Sequence, residues 1–315
     1  MENGRTDLGE AGEMITAPLV RKIRKRGFLG DLMESEPLSR HLYLKTGGLA
    51  ALFAIPESTE DILELLDFLK LEGVPWVLLG GGTNVVFTNG GYPGCVVHLG
   101  RRFARIKVED GSTLLTGAAA TLTGAVEVSA ANGLTGMECL AGIPGTVGGA
   151  VSMNAGTREG EISDMVREVR IFDGENIHWM PSEKLGFSYR SSSLPETHVI
   201  LEARFGLVPS TEEEVRSRIR VLKEKRKETQ PSGLPSAGCW FRNPEGDSAG
   251  RLIDEAGMKG ERCGGAQVSE VHANFLVNLG GATTSDFLTL AQKVREEVHK
   301  QFGVTLLEEV RIIDG

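Results

Sequence analysis

Three features of this chain have residue types and spacing that could do chemistry: bare glycine runs, charges isolated among small hydroxyls, and a thiol in a glycine-bearing turn. Gly80, Gly81 and Gly82 precede Thr83 and Asn84, and a second run reads IPGTVGGAVSMNAG from Ile143 to Gly156. Glycine admits positive φ and lets the backbone press against another group, at an entropic cost that core packing alone does not justify. Two such clusters point to a ligand held against main-chain N–H groups. Phosphate suits such a cradle, because successive amides supply positive dipole without bulk. Arg190 lies in FSYRSSS, where a guanidinium fork among small hydroxyls can grip a carboxylate; a solvated surface would use the same residues. Cys239 follows Ala237 and Gly238 in PSAGCWFRNP, as a thiol brought near a ligand or as a small buried apolar group. Glu309 and Arg311 alternate with Val310 and Ile312, which places both charges on one strand face, as an exposed edge pair also would.

The elements that must position these groups are legible. A helix opens at Ser58 with Asp61 in capping position, lays Ile62, Leu65, Leu66 and Leu69 on one face and stops at Gly73. A strand over Val74 to Leu79 feeds the Gly80 loop, and Val85-Val86-Phe87 reads as further strand. That order does not fit a dinucleotide fingerprint, whose glycines open a helix, and no Gly-Lys-Ser/Thr exists for a Walker loop. Further strands are expected over 94–99, 105–108, 112–116, 166–172 and 199–207, with a helix over 121–132 closed by Asn132-Gly133. After a boundary near Pro209, Ser210 with Glu213 predicts a capped helix carrying Val215, Ile219 and Leu222 on one side, ended by Pro231 and Pro235. A helix over 248–256, a strand over 274–279, a helix over 284–302 and a last strand over 304–313 complete the chain.

Composition sets the outer limits. A chain of 315 residues, 40% hydrophobic and 24% charged, is an ordinary globular protein long enough for two or three cores. A net charge of −9 argues against nucleic acid as a partner. No apolar run approaches the ~20 residues that span a bilayer, and no signal-peptide order is visible, which predicts a cytoplasmic protein. The basic run Arg21 to Arg26 reads as a solvated face or lead-in. Cys95, Cys139, Cys239 and Cys263 form no Cys-x-x-Cys pair and read as reduced thiols; with six scattered histidines they offer no metal motif, so no metal is expected. His98, His178, His198 and His299 read as structural or solvent-facing.

Nine stretches in one order carry a resemblance: LGGGTN from Leu79, LAGIPGTVGGA from Leu140, MNAG from Met153, YRSS from Tyr189, PSAG from Pro235, Asn243-Pro244, GGAQVSE from Gly264, HANF from His272 and EVR from Glu309. From about Pro37 to Ile313 the chain resembles the UDP-N-acetylenolpyruvoylglucosamine reductase family, MurB-type flavoenzymes of peptidoglycan precursor synthesis. The resemblance implies an α+β fold, with an FAD-binding domain of the vanillyl-alcohol-oxidase (PCMH) type built from two α+β subdomains and followed by an α+β substrate-binding domain. The implied boundaries are a lead-in over 1–36, an FAD domain over 37–209 divided near 104, and a substrate domain over 210–315. The implied reaction uses NADPH to reduce FAD, which then passes hydride to the enolpyruvyl double bond and yields UDP-N-acetylmuramate.

Carried over residue by residue, the resemblance makes Arg190 and Glu309 the groups that bind the substrate carboxylate, with Glu309 protonated. Cys239 takes the place of the family's usual serine proton donor. Gly80, Gly81, Gly82, Thr83 and Asn84 would hold the diphosphate. Ile143, Pro144, Gly145, Thr146, Gly148, Gly149 and Ala150 would wrap diphosphate and flavin edge, Asn154 to Gly156 would close one side, and Arg311 would reach the flavin ring. Tyr189, Asn243, Gln267, His272 and Asn274 would contact substrate. Val271 stands where many shorter relatives carry lysine, so any anion contact of that lysine would be absent or supplied elsewhere, as by Lys259 or Arg262, and the tyrosine-bearing insert of the longer type is missing. A monomer acting on small molecules alone is expected. The competing readings are another FAD-dependent oxidase or dehydrogenase of the same fold, and a non-catalytic nucleotide-binding module.

Overall fold

The computed structural model describes residues 9–315, and the chain divides into two compact units. The first comprises residues up to Glu36, Ala50–Gly81 and Pro93–Lys223; the second comprises Pro37–Leu49, Gly82–Tyr92 and Glu224–Gly315. This interleaved division differs from a single cut near Pro209, because short segments on either side of the second strand belong to the later unit. Each unit buries its own apolar cluster.

The first unit holds two larger sheets beside two short strand pairs. One has strands in the order Asp31–Pro37, Leu49–Ile55, Tyr92–Val97 and Trp76–Leu78, the last pair parallel. Helix Thr59–Leu71 accompanies it and buries Ile62, Leu65, Leu66 and Leu69, the face that the periodicity predicts. Ser58 Oγ accepts from Asp61 N at 3.0 Å, a cap worth about 1 kcal/mol. The Asp61 carboxylate takes the amides of Glu57 and Leu29. The basic run is a solvated face, as one of its two expected readings has it: Arg21, Lys22, Arg24, Lys25 and Arg26 are exposed on helix Gly9–Lys25 and the turn after it, which packs against helix Thr59–Leu71. Lys22 pairs with Glu72, Arg26 with Glu64 and Asp67, and Arg24 donates to the carbonyls of Phe28 and Gly30. Of the expected lead-in, residues 1–8 lie outside the described part; Asp31–Pro37 is a sheet strand.

The other sheet is an antiparallel five-strand array in the order Ile177–Pro181, Val166–Phe172, Val199–Gly206, Thr113–Gly117 and Ile106–Glu109. Helix Leu122–Ala131, capped by Thr121, and the short helix Val147–Ser152 belong to the same unit. Helix Glu212–Thr229 starts one residue later than Ser210 and Glu213 predict. Thr211 Oγ1 accepts from Glu214 N, and Ser210 instead donates its hydroxyl to the Glu214 carboxylate.

The second unit packs an antiparallel sheet, in the order Ser236–Cys239, Phe275–Asn278, Ala266–Val268 and Arg262–Cys263, with helix Thr284–Phe302. Thr283 and Asp286 form a capping box at its start, and Gly303 closes it at φ 69°. Two outlying segments are tied into this unit: Thr284 Oγ1 donates to Phe87 O and Asn278 Nδ2 to Leu44 O. The expected last strand over 304–313 shrinks to Arg311–Ile313, paired in parallel with Val85–Phe87. Glu309 precedes it, so no strand alternation sets the side-chain directions of Glu309 and Arg311.

Candidate active site

In the first unit, the two glycine clusters meet. Leu122 N donates to Gly145 O at 3.0 Å and Val147 N to Ala120 O at 2.8 Å, which pins Thr146 against Thr121. Thr146 then caps the short helix, its Oγ1 accepting from Gly149 N. A Cβ on Gly81 would stand 2.7 Å from Gly145 Cα and 3.2 Å from Thr146 N; one on Gly80 would stand 2.9 Å from Thr146 Oγ1. Only bare main chain fits there. Among the described residues no acceptor takes the amides of Gly80, Gly81 and Gly82, and Gly82 adopts φ 63°. Successive amides without an acceptor, beside a left-handed residue, are the elements of an anion-binding concavity.

The contribution of the second run is narrower than its length suggests. The amides of Ile143, Val147, Gly148 and Ala150 go to the carbonyls of Leu140, Ala120, Ala118 and Thr146. Gly148 is needed for packing, since a Cβ would meet Ala118 Cβ at 2.9 Å. Gly156 pairs with Glu161 across a tight strand pair, where a Cβ would strike the Glu161 backbone. Its bareness is explained without a ligand.

Asn154 is fully buried at φ 44°. Its Oδ1 accepts from Ser163 N at 3.2 Å, and its Nδ2 donates to Ser188 O at 3.0 Å. Ser188 and Ser191 exchange backbone hydrogen bonds of 3.0 and 3.1 Å, closing a two-residue turn that presents Tyr189 and Arg190. Arg190 itself sits at φ 55°, with its guanidinium carbon 5.3 Å from the centre of the Tyr189 ring.

In the second unit, Cys239, Asn84, Glu309 and Arg311 come together through the backbone. Gly238 at φ 77° and a bulge between Ser236 and Cys239 turn the strand before the thiol. Trp240 O accepts from Glu309 N at 2.8 Å, so the residue after Cys239 is bonded to Glu309. Asn84 Nδ2 donates to Glu309 O at 3.1 Å, and Arg311 N donates to Asn84 O at 2.9 Å. Gly82 is pressed against His41, whose carbonyl would lie 2.3 Å from a Cβ, and Tyr43 N donates to Gly82 O. The segment around His41 carries no periodic or motif signal, and the sequence reading missed it.

The expected substrate contacts divide in character. Tyr189 and Asn243 are exposed, and Asn243 Oδ1 accepts from Ala249 N at the start of helix Ala249–Glu255. Gln267 donates to Gly260 O; His272 Nδ1 accepts from Asn274 N and its ring meets Phe275 edge-on at 5.0 Å. Both ends of the Asn274 amide are taken by the Phe241 main chain at 2.9 and 2.7 Å, which makes it a clamp on the segment after Cys239. Lys259 is paired with Asp254 at 2.6 Å, and Val271 is exposed.

The four cysteines are free thiols. Burial, with Asp164 and Glu138 nearby, pushes Cys139 up to about 11, and it lines a separate cavity of about 630 Å³ with Arg167, Arg218 and Leu222. None of the predicted site residues lines that cavity. Among the described residues no helix is long and apolar enough to cross a membrane.

Residues 50–177 match the FAD binding domain family, which places the chain among flavin-binding proteins. Residues 230–313 match the UDP-N-acetylenolpyruvoylglucosamine reductase C-terminal domain. A UDP-N-acetylenolpyruvoylglucosamine reductase of Geobacter metallireducens is 44% identical over 285 residues, covering 90% of this chain and 94% of its own. One from Bacillus velezensis is 37% identical, covering 94% and 98%. The crystal structure of the MurB enzyme of Thermus caldophilus superposes with a TM-score of 0.77 at 37% identity, covering 90% of this chain and 98% of that one. The chain belongs to the UDP-N-acetylenolpyruvoylglucosamine reductase family.

Proposed function

We propose that this chain reduces UDP-N-acetylenolpyruvoylglucosamine to UDP-N-acetylmuramate with NADPH, using bound FAD, in peptidoglycan precursor synthesis. The observation that carries the reading is the backbone link between the Cys239 and Glu309 segments through Trp240 O, with Asn84 bonded to both Glu309 and Arg311. It ties the stretch that carries the thiol to the stretch that carries both the carboxyl group and the cation, which supports reading the three as one site.

FAD, when bound, accepts two electrons from NADPH and supplies the hydride that adds to the substrate double bond. The amides of Gly80, Gly81 and Gly82, with those of Gly145 and Thr146, would hold its diphosphate, and Arg311 would lie by its ring. Thr83, Pro144 and Gly149 would complete the cofactor contacts. An enol ether resists hydride addition unless negative charge developing at its α carbon is stabilised, and fixed hydrogen-bond donors do that without reorganisation. Arg190 binds the adjacent carboxylate by its planar fork. Glu309 would donate a hydrogen bond to the same group in its protonated form. Cys239 Sγ holds the proton that goes to the α carbon, since a thiol of reference pKa ~8.5 is mostly protonated at neutral pH. Asn243, Gln267, His272 and Tyr189 hold the nucleotide-sugar.

By function we assign cofactor holding to residues 37–209 and substrate holding to 210–315. The four free thiols and the NADPH requirement suit a cytoplasmic enzyme, and we take it to act as a monomer. The test is spectroscopic. Anaerobic NADPH bleaches the yellow protein, and UDP-N-acetylenolpyruvoylglucosamine restores the colour. Bleaching without recovery would transfer the chain to another flavin dehydrogenase class, and a protein that takes up no FAD would sink both readings.

A further inference from the structure

We infer that Asn154 is a positioning residue for Arg190, and not a flavin contact. The inference rests on the reading of Arg190 as the carboxylate-binding group. Arg190 stands at the tip of a two-residue turn, and neither Tyr189 nor Arg190 is anchored by a strand ladder beyond the single Ser188–Ser191 bridge. The base of the turn is closed within its own loop by Ser193 N, which donates to Leu185 O at 2.8 Å, and its place on the rest of the unit depends on what the base bonds to. Two hydrogen bonds hold it to the end of the short glycine helix: Asn154 Nδ2 to Ser188 O at 3.0 Å, and Ser192 Oγ to Ser152 O at 3.0 Å.

The Asn154 bond is the stronger constraint, because that side chain is buried and both its ends are engaged. Its Oδ1 is fixed by Ser163 N, so the amide cannot rotate to another partner. The left-handed φ of 44° has a cost for any residue with a Cβ, and asparagine is among the few that tolerate it. The position thus calls for a residue that accepts this backbone and also donates at its tip, a pairing met by asparagine and by neither glycine nor aspartate. Arg190, itself at φ 55°, has a second strained backbone to sustain, which a loose hairpin would relax. The tether thereby fixes where the base of the Arg190 turn stands before substrate arrives, and a misplaced group of this kind lowers rate steeply.

Two variants separate this from a general structural role. Asn154→Asp keeps the backbone and the acceptor for Ser163 N but sets a carboxylate oxygen against Ser188 O; Asn154→Gly keeps the backbone and removes both bonds. Each is expected to slow substrate-driven flavin reoxidation by about tenfold or more, with bound FAD and the rate of NADPH-driven reduction unchanged. In an Arg190→Ala background, Asn154→Asp should cost less than about twofold, because a residue acting through Arg190 has nothing left to position. As a readout independent of turnover, trypsin should cut after Arg190 faster in both variants than in the unaltered protein. Full substrate activity of Asn154→Asp, or the same fold loss with and without Arg190, overturns the inference; loss of FAD from Asn154→Asp does so too, and restores the residue to the cofactor. If Arg190→Ala alone reoxidises normally with substrate, it is the reading of Arg190 that fails.

Discussion

The two units build their functional surfaces from different materials. In the first, the Gly80–Gly81 strand end and the Gly145–Thr146 turn offer main chain, and packing forbids any side chain there. In the second, the groups proposed to work are side chains, Cys239, Glu309 and Arg311, and the backbone bonds around them tie their segments together. A cofactor that many proteins share can be held by amides, which every residue owns and only glycine leaves uncovered. A particular substrate needs a particular acid, base or cation, so that surface rests on single residues. The prediction that follows is that changes in the glycine cradle act on FAD affinity, and changes at Cys239 and Glu309, like those at Arg190 in the first unit, act on the half-reaction with substrate.

The largest expected effect tests the second region. Cys239→Ala should slow reoxidation by substrate by about 10²- to 10⁴-fold, the usual worth of a general acid, while stopped-flow reduction by NADPH stays as it was. Cys239→Ser should remain active. An alanine variant with unchanged turnover would remove the thiol from the mechanism and blur the contrast between the regions.

Gly81→Ala tests the first region. The added methyl meets the Gly145 backbone at 2.7 Å, and backbone cannot swing aside as a side chain can. Overpacking of about 1–3 kcal/mol predicts FAD binding weaker by roughly 10- to 100-fold, measured by fluorescence titration of the apoprotein. Tight FAD binding by this variant would break the idea of a main-chain cradle.

The smallest effect concerns Cys139, a thiol of the first unit that the chemistry does not use. Its folded pKa of about 11 lies above the ordinary thiol value, so the protonated form is the one that folding favours. The resulting stabilisation is complete below the unfolded pKa and is lost as pH rises through about 11. Alkylation of Cys139 in the folded protein, followed by mass spectrometry, should therefore rise toward pH 11 and stay slow at pH 8. Rapid labelling at pH 8 would mark it as a second activated thiol.

How much of this could be read in advance varies with the range of the signal. Ser58 and Gly73 bracket a helix whose cap and buried face are as its periodicity predicts, because caps and amphipathic spacing act within a few residues. At Ser210 the same rule missed by one position, since Thr211 competes for the cap and only packing of the helix decides between them. Glu309 and Arg311 looked like partners on a strand face. What joins them is Asn84, some two hundred residues earlier, and no local pattern reports that bond. Asn154 lay within a motif, yet its bonds to Ser188 and Ser163 were not legible there, because a buried amide can face a ligand or a neighbouring hairpin with equal chemical logic.

By itself the sequence determined the glycine clusters, the helices with their caps, and the ordered set of motifs that carries family membership, all of them properties of composition and short-range spacing. Tertiary structure alone decided that Gly81 packs on Gly145, that Asn154 holds the turn beneath Arg190, and that Asn84 bonds to both Glu309 and Arg311. Those contacts join segments far apart in the chain, and their free energy exists only once the fold has brought the partners together.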